Sequence, residues 1–87
     1  MQIKFKISKT FSVTAKKYFV IGGRTANGRV KQGMNILIEN KKIPIESIEI
    51  IDGVPIAMLG LVIKYKDEQE KQQLEQLLNK VKEINIE

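Results

Sequence analysis

Apolar and polar side chains alternate with a period of two through much of the first two-thirds of the chain. Ile3, Phe5 and Ile7 alternate with Lys4 and Lys6, which predicts a strand with one buried and one wet face. Lysines on the wet face also suit an edge strand, where they discourage pairing with another chain. Ser8-Lys9-Thr10 reads as a break before a second alternating set, Phe11, Val13 and Ala15. Lys16-Lys17 then reads as a polar turn leading into Tyr18-Phe19-Val20-Ile21. That run is apolar on both faces, as a covered central strand is.

The stretch from Val20 to Ile38 organises the rest. Two apolar segments meet at Asn27-Gly28, the dipeptide best suited to the positive φ angles of a two-residue type I′ turn, so a β-hairpin is expected there. Gly22-Gly23 and Gly33 mark places where a strand bends, bulges or stops. Met34 to Glu39 reads as a strand ending at an Asn40-Lys41-Lys42 turn. Ile43 to Ile51 reads as another, with Pro44 near its start. Asp52-Gly53 is a second hairpin signal, and Val54 to Tyr65 returns from it, with Pro55 near its start and a bulge expected at Gly60.

At Asp67 the period changes to about 3.6. Leu74, Leu77, Leu78, Val81 and Ile84 fall on one face of a helix expected over residues 67–85. Asp67 is placed to cap its first turn, with Glu70 three positions later. The apolar stripe needs a surface, because so short a helix is marginal alone in water. That surface is either the sheet, whose open end the helix would plug, or a second copy of the chain. The pattern as a whole predicts a single domain over residues 1–87. It is mainly β: a small Greek-key-like β-barrel over 1–66 with one C-terminal amphipathic α-helix packed on it.

The order of residues in the organising stretch also resembles a known family. Val20, Ile21, Gly23, Arg24, Gly28, Val30, Gly33, Ile36 and Ile38 are similar to the second-domain β-barrel of translational GTPases, such as elongation factor Tu. Phe11-Ser12-Val13 resembles that barrel's first strand, and Ile45, Ile48 and Glu49 its next. The similarity spans roughly residues 10 to 65. Met34 stands where the family usually has an acidic residue, and Gly22 where it has Thr. In that family GTP hydrolysis belongs to a separate domain, so the resemblance implies a binding module without GTPase activity. Such barrels contact ribosomal RNA, the acceptor end of tRNA or neighbouring protein domains, so the resemblance implies RNA, the ribosome or a protein partner and favours RNA, as a type of surface without a named contact.

Composition narrows the chemistry. The 87 residues include no cysteine and no histidine, which removes thiolate zinc sites, disulfides and the commonest general base. No G-x-x-x-x-G-K-S/T phosphate loop is present, and the glycines lie between strands instead of opening a helix. Glu46, Glu49, Asp52 and Asp67 have ready roles as solvated or capping carboxylates. No catalytic, cofactor-binding or metal-binding residue is therefore expected, and the chain is not read as an enzyme. No run reaches the roughly 18 apolar residues of a membrane span, and the start of the chain lacks the layout of a secretory signal. The cytoplasm is the expected location.

Charge points further. Residues 1–66 hold 12 Lys/Arg against 4 Asp/Glu, whereas residues 67–87 hold 3 against 6. Lys16, Lys17, Arg24, Arg29, Lys31, Lys41 and Lys42 sit in or beside expected turns, and turns gathered at one end of a barrel make a phosphate-binding patch. Tyr18 or Phe19 would supply a stacking surface for an unpaired base. Two readings follow. One is a basic barrel module for RNA or a ribonucleoprotein. The other is a protein-interaction or structural module that uses a sheet edge, or self-associates through Leu74, Leu77, Leu78 and Val81.

Overall fold

The computed structural model describes residues 2–51 and 58–87. Its strands are β1 (Ile3–Val13), β2 (Tyr18–Thr25), β3 (Asn35–Ile38), β4 (Lys41–Pro44), β5 (Ser47–Ile51), β6 (Met58–Lys64) and β7 (Glu83–Ile86). A 3-10 turn (Thr14–Lys16) joins β1 to β2, and one helix, α1 (Glu68–Asn79), lies between β6 and β7. The strands form one antiparallel sheet in the order β4-β3-β7-β1-β2-β6-β5. The mainly β architecture with one amphipathic helix is the one that the two periods predict.

The sheet is strongly curled. β4 and β5 stand at opposite ends of the strand order, yet only Ile45 and Glu46 separate them in the chain. Seven flat strands would hold the edges about 29 Å apart, while the three Cα steps from Pro44 to Ser47 reach at most about 11 Å. The Ile45 amide donates to the Met34 carbonyl beside β3 (2.9 Å), and the next amide, Glu46, donates to Val62 of β6 (2.8 Å). No ladder pairs β4 with β5 among the described residues; the chain itself forms the seam of the barrel. The strand expected over 43–51 is therefore divided at Ile45-Glu46.

Phe5, Phe19, Ile21, Ile36, Leu61, Ile63 and Ile86 are fully buried inside this cylinder. From α1, Leu74 and Leu78 enter the same core with Leu77 packed against it, and Val81, just beyond the helix, packs there too. Burying each such side chain is worth about 1.5–3 kcal/mol, which offsets the weakness of an isolated helix. The apolar stripe is thus turned toward the chain's own core. Val30, in the loop between β2 and β3, joins the core as well. Asp67 caps α1 as expected, its Oδ1 accepting from the Glu70 amide at 2.9 Å.

The helix ends at Asn79, short of the expected 85. Ile84 and Ile86 belong to β7, which lies between β3 and β1. Ile84 follows Val81 by three residues and so fits a helical stripe, but Glu83-Ile84-Asn85-Ile86 also alternates. Ladders available on both sides decide for the strand. No helix among the described residues is long and apolar enough to cross a membrane.

Asn27-Gly28 does not form the expected hairpin, because β2 and β3 are not paired with each other. Among the described residues, a tight two-residue turn forms at Glu39-Asn40, where both φ angles are positive (45° and 66°) and Ile38 pairs with Lys41. Positive φ at both central residues is what a type I′ turn requires. Lys41 and Lys42, expected in that turn, open β4 instead. Asn27 acts as surrogate backbone at the start of β1: its Oδ1 accepts from the Lys4 amide (2.9 Å) and its Nδ2 donates to the Gln2 carbonyl (3.3 Å). The Asp52-Gly53 turn and Pro55 lie outside the described residues, though β5 and β6 pair up to Ile51 opposite Met58. Gly60 carries no bulge; it makes room for Ile51, whose Cδ1 would stand 2.9 Å from a Cβ there.

Candidate nucleic-acid interface

β1 and β2 form a long ribbon, paired from Phe5 opposite Thr25 to Val13 opposite Tyr18. The break expected at Ser8-Lys9-Thr10 is a β-bulge inside one continuous strand. Ile7 faces Gly23 and Lys9 faces Gly22, which leaves Ser8 without a partner. Gly23 makes this possible: a Cβ there would lie 1.9 Å from the Lys6 carbonyl oxygen, so a side chain cannot be placed without moving the backbone. The glycine pair of the organising stretch therefore serves the ribbon with β1.

The bulge exchanges the two faces of the strand. Alternation has a period of two, so one extra residue moves every later side chain to the opposite side. Before Ser8, Ile3 and Phe5 point into the core while Lys4 and Lys6 are exposed. After it, Lys9, Phe11 and Val13 take the outer face, and Phe11 is 41% and Val13 36% exposed. The alternation at Phe11 and Val13 does mark a strand, but its apolar members face outward, and Ala15 lies in the 3-10 turn.

The outer face of this ribbon has a definite layout. Lys6 stands opposite Arg24, Lys9 opposite Gly22, Phe11 opposite Val20, and Val13 opposite Tyr18, with Lys16 and Lys17 in the turn beyond. The Lys9 stem lies over Gly22, its Cγ 3.4 Å from where a Cβ would be. Its Nζ is 5.8 Å from the centre of the Phe11 ring. Lys17, in left-handed backbone with φ 56°, donates from Nζ to the Lys66 carbonyl at 3.3 Å. Cations thus lie at both ends of an apolar, aromatic middle.

The seven basic residues singled out in the sequence do not gather at one barrel end. Lys16 and Lys17 lie at one end of β2, while Arg24 and the loop residues Arg29 and Lys31 lie toward the other. Lys41 and Lys42 are on β4 at the far side of the strand order, and Lys42 is 3.7 Å from Glu87. The ribbon unites Lys16, Lys17 and Arg24 with Lys4, Lys6 and Lys9, which the turn-based reading passed over. Lys4 and Lys6 do not guard an edge, since β1 lies between β7 and β2. Of the aromatics, Phe19 is buried in the core and Tyr18 is half-buried; the exposed ring is Phe11.

A signal for these residues was present in the charge order. Residues 1–38 contain eight Lys/Arg and no Asp/Glu. Among the described residues, the ion pairs join Lys42 to Glu87, Lys64 to Glu46, and Lys71 to Glu68 and Glu75. None involves the ribbon. The Lys71 ammonium, hydrogen-bonded to the Glu68 carboxylate, is held above the usual lysine range. Glu75 lines a groove between β1 and α1 beside Thr10 and Ser12, and its carboxylate is 4.0 Å from Lys71. Comparison of the chain with protein-family models, curated proteins and solved structures finds no match.

Proposed function

We propose that this chain is a non-catalytic β-barrel module that binds RNA or a ribonucleoprotein through the outer face of the β1–β2 ribbon. One observation carries the reading: six of the eight cations in an acid-free stretch of 38 residues lie on a single ribbon, with no carboxylate paired to them among the described residues. Lys6 and Arg24 are directly opposite one another. Like charges in that position repel, and a polyanion relieves the repulsion. The resemblance to the second-domain barrel of translational GTPases supports the same reading and suggests a role at the ribosome in the cytoplasm.

The test is binding to a structured RNA as salt is raised. Each phosphate neutralised releases condensed counterions, so affinity falls steeply and log-linearly with salt. Reversing charge with Lys6→Glu and Arg24→Glu weakens binding and flattens that dependence. A folded protein that binds no RNA at low salt contradicts the proposal.

A second reading rests on Ile50, which is 75% exposed on β5, the last strand of the order. An extended protein segment could add to this edge, with Ile50 as its apolar anchor. Under that reading a protein partner persists after nuclease treatment and is lost with Ile50→Lys.

A further inference from the structure

The layout of the ribbon narrows the RNA partner further, on the proposed reading that the module binds RNA. A duplex presents phosphates and ribose hydroxyls at its surface and keeps its bases stacked inside, where no side chain can stack on them. Such a partner needs cations alone. The ribbon instead places an exposed phenyl ring at its centre, on a sheet face, between the Lys6–Arg24 rung and the Lys16–Lys17 turn. Rungs on one face recur about every 7 Å, comparable to the step between phosphates of an extended strand.

The ring is outside for a structural reason. Had the alternation of Ile3 and Phe5 continued without interruption, Phe11 would point into the core. The bulge at Ser8, which closes over Gly23, turns it out beside Lys9. The ammonium of Lys9 is already 5.8 Å from the ring centre, within reach of the backbone of any nucleotide whose base stacks there. We infer that the outer face of β1 and β2 takes an unpaired RNA strand, with one base stacked on Phe11 and its flanking phosphates held by Lys9 and the Lys6–Arg24 pair. Tyr18 and Val13, on the next rung, extend the apolar platform.

The experiment compares a single-stranded oligouridine of about ten nucleotides, within the range of site sizes for such a face, with an RNA duplex of equal length. Wild type binds the single strand more tightly. Phe11→Ala weakens single-strand binding by about tenfold or more with the salt dependence unchanged, and Phe11→Tyr restores it. Lys6→Gln with Arg24→Gln lowers the slope of log affinity against log salt by about 1.4 on the single strand and about 1.8 on the duplex, weakening both. All these side chains are exposed, and circular dichroism confirms that each variant is folded. Equal affinity of Phe11→Ala and wild type for the single strand, or a wild-type preference for the duplex, overturns the inference while RNA binding stands. Absence of binding to either RNA removes the inference and the proposed function together.

Discussion

At the scale of single residues, Gly23 decides most. Its missing side chain lets the Lys6 carbonyl occupy the space where a Cβ would sit, and this close approach permits the bulge that reverses the outer half of β1. Gly23→Ala is expected to lower stability by about 3 kcal/mol, at the upper end of overpacking costs because the obstacle is backbone. Urea unfolding measures this, and a loss below about 0.5 kcal/mol would show that the ribbon does not need the glycine. Phe11 and Phe5 give a matched contrast. Phe11→Ala should change stability by less than about 0.5 kcal/mol, whereas Phe5→Ala, at a fully buried position, should remove about 3–5 kcal/mol. Similar losses at both would place Phe11 inside the core. Periodicity alone could not assign these two rings to opposite faces, since both belong to alternating runs. The assignment depends on where the extra residue falls, and Ser8 is one of three polar residues that could have carried it.

Among the elements, the Asn27 loop and β7 depart furthest from what their own residues signal. Asn27-Gly28 has the composition of a type I′ turn, but the strands on either side of it find other partners, and its side chain supports the start of β1 instead. Asn27→Ala should cost about 1 kcal/mol and speed hydrogen exchange at the Lys4 amide; unchanged protection there would mean that the Asn27 bond is idle. Glu39-Asn40 makes a two-residue turn without a glycine, which is why it lacked the usual signal. β7 was hidden because its four residues fit both a fading helix and a short strand. It fills the gap between β3 and β1, so removing residues 83–87 should abolish cooperative unfolding. A merely frayed tail would leave the transition intact. By contrast, the Asp67 cap and the Leu74–Leu78 stripe were readable in advance, because capping and helical spacing are local and need no knowledge of strand partners.

For the molecule as a whole, the sequence carries its fold class in the change of period at Asp67, and it carries its charge polarity openly. Strand order was not accessible, because it depends on which edges meet once the sheet curls and the chain passes from β4 to β5 in two residues. The candidate surface was half legible for the same reason. Lysines in turns attract notice, while Lys4, Lys6 and Lys9 acquire a common face with Arg24 only through pairing and the bulge. The most direct test of this surface is a titration of labelled protein with single-stranded oligouridine, followed residue by residue through amide chemical shifts. Binding on the ribbon should shift signals along β1 and β2, centred on Phe11 and including Lys6, Lys9 and Arg24. Shifts confined to β4, β5 or α1 would contradict it.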